Sequence, residues 1–529
     1  MKFLKSIQKR VFFFSILLTL VSSAVGRDYY VDAMNGSDNN NGISAKTAWK
    51  SLDKVSNAIY LPGDKISFKS GQRFEGMLTI SSSGKEGLPL TFTTFGGKEP
   101  AIIDGKGGSA AVYSHNKEYI VLSNLAVTNF REGTITIDDL FNGIYIVNED
   151  AGTLHNFHFD NIKVFNVNST HIFPDEGKTD KSRFHGGVQF YTIGNKVRSN
   201  FDDVLITNST FENLGRTGFN FRSDWDDRSA NSKFGDDIGK GRTDNWTPNT
   251  NVIIRKNYFK NIAGNALIVR VAVDPLVEHN LFDSCGKYIS GNATFNFNTD
   301  GTIFQFNEAK NTIYSEGETD ARGIDSDYKT KNTIIQYNYL HHNGLGGVTA
   351  VGGPGVGEEP VYFNIGTIIR YNILENNQRQ GAYFSGRVEG LQMYNNVIYA
   401  DATINDVVAI KLNRWTVYPN NARFSNNIFY FEGKNISYDF TQATNVVFDH
   451  NIYMGINPPQ KFSDIFPIKA DPLFRAKGTG RLGYQLLKNS PAFNAGVIIK
   501  NNPEVDFYGN KIINIAALNI GADNNRNLK

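Results

Sequence analysis

The hydrophobic pattern of this chain alternates with a period of two, stops at an asparagine, and starts again. "TIIRYNILENNQRQG" runs from Thr367 to Gly381, and "TIIQYNYLHHNGLGG" stands 34 residues earlier. Comparable six-residue runs end at Asn208, Asn257, Asn280, Asn307, Asn338, Asn372, Asn396, Asn427 and Asn451, with fainter copies ending at Asn124 and Asn161. From Asn257 to Asn451 the intervals are 23, 27, 31, 34, 24, 31 and 24 residues. Each unit holds an alternating run, an Asn, a short second run, a Gly and a third run. Alternation predicts strands, and Asn tolerates the left-handed backbone of a sharp bend. Strands this close leave no room for helical crossovers, and few Asn-Gly or Asp-Gly pairs separate them as hairpins would require. The pattern therefore predicts an all-β chain: a single right-handed parallel β-helix whose Asn side chains stack from rung to rung.

The open ends of such a stack need covers. A helix-like stretch from Thr47 to about Ala58, with Ser44 or Thr47 as its cap, is expected to lie across the first rung. The expected divisions are an N-terminal cap over about 27–65, rungs over about 66–455 and a C-terminal closure over about 456–529. Residues 1–26 read as a signal peptide: Lys2, Lys5, Lys9 and Arg10 precede an apolar run and a small-residue end at Gly26. The expectation is a secreted or periplasmic protein, and a monomer. Cys285 is the only cysteine, so no internal disulfide can form. A net charge of +2 gives no polyelectrolyte signal for nucleic acid.

The stretches "YYVDAMNGSDNNNGISAKTAWKSL", "PGDKISFKSG", "DPLF" and "SPAFNAG" resemble the flanks of secreted bacterial right-handed parallel β-helix proteins that act on carbohydrate. That group holds polysaccharide lyases and glycoside hydrolases. The resemblance implies export and a carbohydrate substrate lying on one strand face; it does not choose the reaction.

The strand after the Gly is the one to inspect. Its copies include "GFNFRS" (218–223), "ALIVRV" (266–271), "ATFNFN" (293–298), "GIDSDY" (323–328), "GAYFSG" (381–386) and "VVAIKLN" (407–413). Reading apolar positions inward turns in Phe219, Phe221, Leu267, Val269, Phe295, Phe297, Ile324, Phe384 and Ile410. Arg222, Arg270, Asn296, Asn298, Asp325, Asp327, Tyr383 and Lys411 then face out, with Arg387 nearby. Long insertions at 223–250, 308–322, 352–366 and 413–421 would wall this face, carrying Trp225, Trp246 and Trp415 as stacking platforms.

Two chemistries fit such a face. A lyase acting by β-elimination on a uronic acid needs a base and a cation that neutralises the sugar carboxylate. Arg270, Tyr383 and Lys411 would serve, with Asp325 positioning or ligating and Arg222, Asn296, Asn298, Arg387 and Trp415 binding an acidic polysaccharide or oligosaccharide. A hydrolase needs two carboxylic acids, and Asp325 with Asp327 supplies them on one strand face. The surrounding cations favour the lyase; a noncatalytic carbohydrate-binding solenoid is the third reading. No metal or other cofactor is required, although Glu316, Glu318, Asp320 and Asp325 form an acidic run able to take Ca²⁺. His342 aligns with Asn261 and Asn376, as a member of a second polar stack.

Overall fold

The structure is a computed structural model and describes residues 26–133, 140–168, 185–229, 245–287, 289, 291–353, 362–440, 443–513 and 517–525. The expected leader, apart from Gly26, lies outside the described residues. Among those residues no helix is long and apolar enough to cross a membrane.

The chain winds into a parallel β-helix. Each rung contributes three strands, and each strand pairs in parallel with its equivalent one rung on. The first column runs from Asp28–Val31 to Thr444–Asp449, and from Ile120–Ser123 onward its strands end at the Asn turn. The second runs from Arg73–Glu75 to Ile468–Lys469 and forms a separate 14-stranded sheet. The third runs from Leu78–Ile80 to Ser437–Asp439 and carries the residues singled out for chemistry. One apolar core fills the interior, with Phe211, Phe259 and Phe282 stacked at centroid spacings of 4.5 and 5.0 Å.

The Asn column is real, but its residues do not make the bend themselves. From Asn257 onward the left-handed residue is the one before each Asn: Lys256, His279, Phe306, Tyr337, Tyr371, Asn395, Asn426 and His450, all with φ near +55°. The Asn points inward instead. Its Oδ1 accepts both the backbone N–H and the amide of the preceding Asn, as Asn338 does for Asn307 at 3.0 Å each. Its Nδ2 donates to a carbonyl of the preceding rung, as Asn338 does to Phe304 at 2.9 Å. The column ends on Asp464, which accepts from Asn451 Nδ2 at 2.7 Å. Asn124, Asn161 and Asn208 do take the left-handed turn, because they stand one position earlier; Ser209, not Asn208, meets Asn257 in the column.

The N-terminal helix is shorter than expected and in two pieces. Ser44 caps a 3₁₀ turn over Ala45–Thr47, and Ser51 caps an α-helix over Leu52–Asn57. Between them Trp49 is drawn into a bridge with Val31, which interrupts the helix. At the other end the chain folds back along the flank of the solenoid. Ile499, Ile512 and Leu518 pack on Tyr337, Tyr371 and Tyr394, and Tyr337 Oη donates to Val505 O at 2.8 Å. Burial in the second column pushes the Cys285 thiol pKa far up, so it packs as an apolar side chain.

Candidate active site

Register along the third column fixes which side chains share a face. Phe219 pairs with Leu267 and Asn220 with Ile268; one rung on, Leu267 pairs with Thr294, Ile268 with Phe295, Val269 with Asn296 and Arg270 with Phe297. Thr294 and Asn296 therefore point inward, and Phe295 and Phe297 outward, the reverse of the reading by polarity. Asn296 is fully buried and donates to Thr299, Thr302 and Thr333 hydroxyls at 2.8, 3.1 and 2.9 Å. Three threonine hydroxyls gather around the Asn296 Nδ2 inside the solenoid, so alternation of polarity misled where alternation of register did not. Asn298 is also buried, with φ +56°, and donates to Asp226 O at 2.6 Å. Neither asparagine is presented to a ligand.

On the next rung Phe295 pairs with Asp325, then Asp325 with Thr349, Thr349 with Tyr383 and Tyr383 with Lys411. Asp325 is the pivot. It is 6% exposed, and its Oδ2 accepts from Asn292 Nδ2 at 3.1 Å. Burial first, then the charges of Asp327 and Asp320, drive its pKa well above the ordinary carboxylate range, and Arg322 only partly opposes them. Asp320 and Asp327 flank it and are half-buried, within reach of solvent. Asn292 also reaches Asp320 Oδ1 at 3.5 Å, and Asp327 Oδ1 accepts from the Tyr328 backbone at 2.8 Å. Three carboxylates thus meet at one rung of an outward strand face.

Arg322 and Lys411 also have other partners. Arg322 is buried, donates to Thr319 O and to Gln380 Oε1, and lies 4.5 Å over the Tyr383 ring. Lys411 is three rungs from Asp325 and pairs with Asp439 at 3.4 Å. Tyr383 Oη accepts from Asn413 Nδ2 at 3.0 Å. Arg387 follows the strand Gln380–Gly386, its backbone N–H bonded to Gly352 O.

Arg222 and Arg270 converge on a small cavity of about 70 Å³ with Asp226, Phe297 and Tyr328. Tyr328 directly follows Asp327, so this cavity adjoins the carboxylates. Burial raises the Asp226 pKa, with Lys329, Arg270 and Arg222 opposing. Val271, also in the wall, has φ +47°; a β-branched residue there carries strain of order 1–3 kcal/mol. Around the rim Tyr328 meets Phe297 and Tyr362 edge-on at 5.0 Å each, and Trp415, 43% exposed, at 6.3 Å. Trp225 and Trp246 are buried and do not face a ligand. Trp246 instead lies under Arg228, 3.9 Å from the guanidinium. Arg228 pins the insertion after Ser223 to later rungs, donating to Thr299 O, Lys329 O and Asp300 Oδ2 at 3.0, 3.2 and 3.1 Å.

Glu316 and Glu318 are exposed, and among the described residues no group of three or more His, Cys, Asp or Glu side chains can hold a metal. His342 takes the left-handed stack position, and His341 beside it shares a hydrogen bond with it at 2.9 Å.

No family model matches the chain. It is 26% identical to the lacto-N-biosidase of Bifidobacterium longum subsp. longum over 93% of this chain and 36% of that protein. The chain thus spans about a third of the length of that relative. The crystal structure of GH136 lacto-N-biosidase from Eubacterium ramulus superposes with a TM-score of 0.60 at 19% identity, covering 78% of this chain and 68% of that one. XylC in complex with xylose gives a TM-score of 0.50 at 11% identity, covering 94% of this chain and 98% of the other. These structural likenesses support the parallel β-helix.

The lyase expected from sequence does not survive these findings. The sequence relative is a glycosidase, and two of the three groups on which elimination would depend are otherwise engaged: Lys411 by Asp439, and Tyr383 beneath Arg322. Cations on the face also meet carboxylates locally, Lys411 at Asp439 and Arg222 and Arg270 around Asp226. Sequence reasoning had treated Asp320 only as a metal ligand and passed over Arg322 and Asn292. The triplet spacing in "DARGIDSD" was the available signal.

Proposed function

We propose that this chain is a glycoside hydrolase acting on a neutral oligosaccharide, of lacto-N-biosidase type. The observation that carries the reading is the carboxylate group Asp320–Asp325–Asp327 beside an aromatic-rimmed cavity. Glycoside hydrolysis needs one carboxylic acid to protonate the leaving oxygen and one carboxylate to attack the sugar or activate water. Asp320 and Asp327 are the two that solvent reaches, and we assign them these roles. Asp325 lies behind them, its pKa raised by burial first and then by its carboxyl neighbours. A protonated Asp325 can share hydrogen bonds with its neighbours without adding a third negative charge. Its raised pKa also favours a second reading, in which Asp325 itself is the general acid with Asp327 as its partner.

The test is release of the aryl group from a chromogenic aryl lacto-N-bioside and of disaccharide from lacto-N-tetraose. Asp327→Asn should cut turnover at least a thousandfold. Whichever of Asp320→Asn and Asp325→Asn loses more on the tetrasaccharide than on a substrate with an acidic leaving group is the general acid, because such a leaving group departs without a proton. Full activity in all three variants would move the site away from this rung.

A further inference from the structure

On a different flank of the solenoid, at the corner where the second column turns toward the third, lies a groove with a cavity of about 520 Å³. We propose that it is a second, noncatalytic binding site for a neutral oligosaccharide chain. The volume falls within the usual range of about 300–1,000 Å³ for small-ligand sites. The ligand class follows from the lining itself and not from the hydrolase reading.

The floor is a ladder of carboxamides. Phe165 pairs with Glu212 and Val167 with Leu214, and one rung on Glu212 pairs with Lys260 and Leu214 with Ile262. Asn166, Asn213 and Asn261 therefore stand in line on three successive rungs. All three are held in the left-handed region, at φ +50°, +56° and +53°. Asn261 Nδ2 donates to Asn213 Oδ1 at 3.1 Å, which orients the ladder. Rungs repeat about every 4.8 Å, a step close to one pyranose ring. A regular row of donors and acceptors at that step matches the hydroxyls of an extended glycan.

An apolar wall stands beside this ladder. Phe130 is 55% exposed, a large aromatic ring that gains nothing from the core. Phe165 lines the same wall, with the Lys163 ammonium 5.3 Å over its ring. Aromatic faces beside carboxamides recognise sugar rings through their C–H faces and hydroxyls together. Two of the three lining cations are paired with carboxylates. Arg73 pairs with Asp104 at 2.6 Å and Lys106 with Glu75 at 3.2 Å, which favours a neutral ligand over a uronate chain. The ladder belongs to rungs that precede the carboxylates by two or more. A glycan seated there leaves the acids clear and would hold a long substrate close to the enzyme.

The experiment uses the full chain carrying both Asp320→Asn and Asp327→Asn, so that the probe is not consumed. Titration calorimetry with lacto-N-tetraose, xylohexaose and an oligogalacturonate should show saturable binding of at least one neutral probe and weaker binding of the acidic one. Adding Phe130→Ala should weaken that binding at least tenfold, and so should Asn213→Ala made separately. In the otherwise unaltered enzyme, Phe130→Ala should leave turnover of the small aryl glycoside unchanged. Absence of saturable binding overturns the proposal, as does binding unmoved by either substitution, or a stronger response to the oligogalacturonate. Binding lost with Phe130→Ala in a chain that hydrolyses no glycoside supports the groove and refutes the hydrolase reading alone.

Discussion

Replacing Asn338 by Ala tests whether the buried amide column holds the rungs in register. Asn338 is fully buried. Its Oδ1 accepts the backbone N–H and the Nδ2 of Asn307, each at 3.0 Å, and its Nδ2 donates to Phe304 O at 2.9 Å and Asn372 Oδ1 at 3.0 Å. Truncation leaves two donors of Asn307 without an acceptor and removes one donor from Phe304 O. A buried group left unsatisfied costs about 1–3 kcal/mol, so the two orphaned donors predict a loss of about 2–6 kcal/mol. Water entering the vacated space would place the result toward the lower end. Such a loss is a large share of the roughly 5–15 kcal/mol that stabilises an ordinary domain. Solenoids unfold through nearest-neighbour interfaces, so the assay should read both the urea midpoint by circular dichroism and hydrogen exchange at the Asn307 amide. The midpoint should fall, and the Asn307 amide should lose protection before amides near Asn208. Asn338→Asp provides a control, because it keeps the acceptor and turns the donor into a second acceptor facing Phe304 O. It should be destabilising at neutral pH and recover as the solution is acidified. A loss under about 1 kcal/mol for Asn338→Ala, with exchange unchanged, would refute the account of the column.

Three further outcomes are expected. Asp325 has a raised pKa in the folded protein, so the native state binds more protons than the unfolded chain above the ordinary Asp pKa, and stability must fall as pH rises through that window. Asp325→Asn should therefore raise the melting temperature at pH 7, flatten its dependence on pH and lower turnover; an unchanged pH profile would contradict the assignment. Arg228→Ala frees the insertion from Thr299, Lys329 and Asp300 and should raise KM about tenfold with kcat nearly constant, as steady-state kinetics would show. Trp415→Ala removes an indole that is 43% exposed and should raise KM about two- to tenfold while leaving the melting temperature in place.

The fold was legible because it is written as a repeat. A period-two pattern restarted by Asn can be read without knowing what each Asn does, and the second carboxamide stack was visible in the match of His342 with Asn261 and Asn376. What the pattern concealed was one residue of phase. Asn can sit in a left-handed turn or in a buried ladder, and both fit the same spacing; only the strand register separates Asn208 from Asn257. The C-terminal segment was legible as non-repeating but not as a strap, since packing on Tyr337, Tyr371 and Tyr394 is a contact over more than 100 residues of sequence.

The site was legible only as far as side chains obey the simple rule of apolar in and polar out. That rule placed Asp325 and Asp327 together, and it failed one rung earlier, where Phe295 and Phe297 face out while the Asn296 Nδ2 meets three threonine hydroxyls inside. The two departures from the rule are connected. An interior that takes in Asn296 frees the outward position for Phe297, and Phe297 is what lines the cavity beside Asp327 and meets Tyr328 edge-on. A sugar ring needs an apolar platform next to its acids, so the polar cluster inside the solenoid and the aromatic rim outside it are two sides of one strand. The charges followed the same logic. Counting Arg222, Arg270, Arg387 and Lys411 as free cations pointed to an acidic substrate, whereas the structure pairs Lys411 with Asp439 and sets Arg222 and Arg270 around Asp226. Beside them three carboxylates stand on one rung, and burial, then the charges of Asp327 and Asp320, raise the Asp325 pKa well above the ordinary range; on the hydrolase reading proposed above, the other two supply the acid and the base.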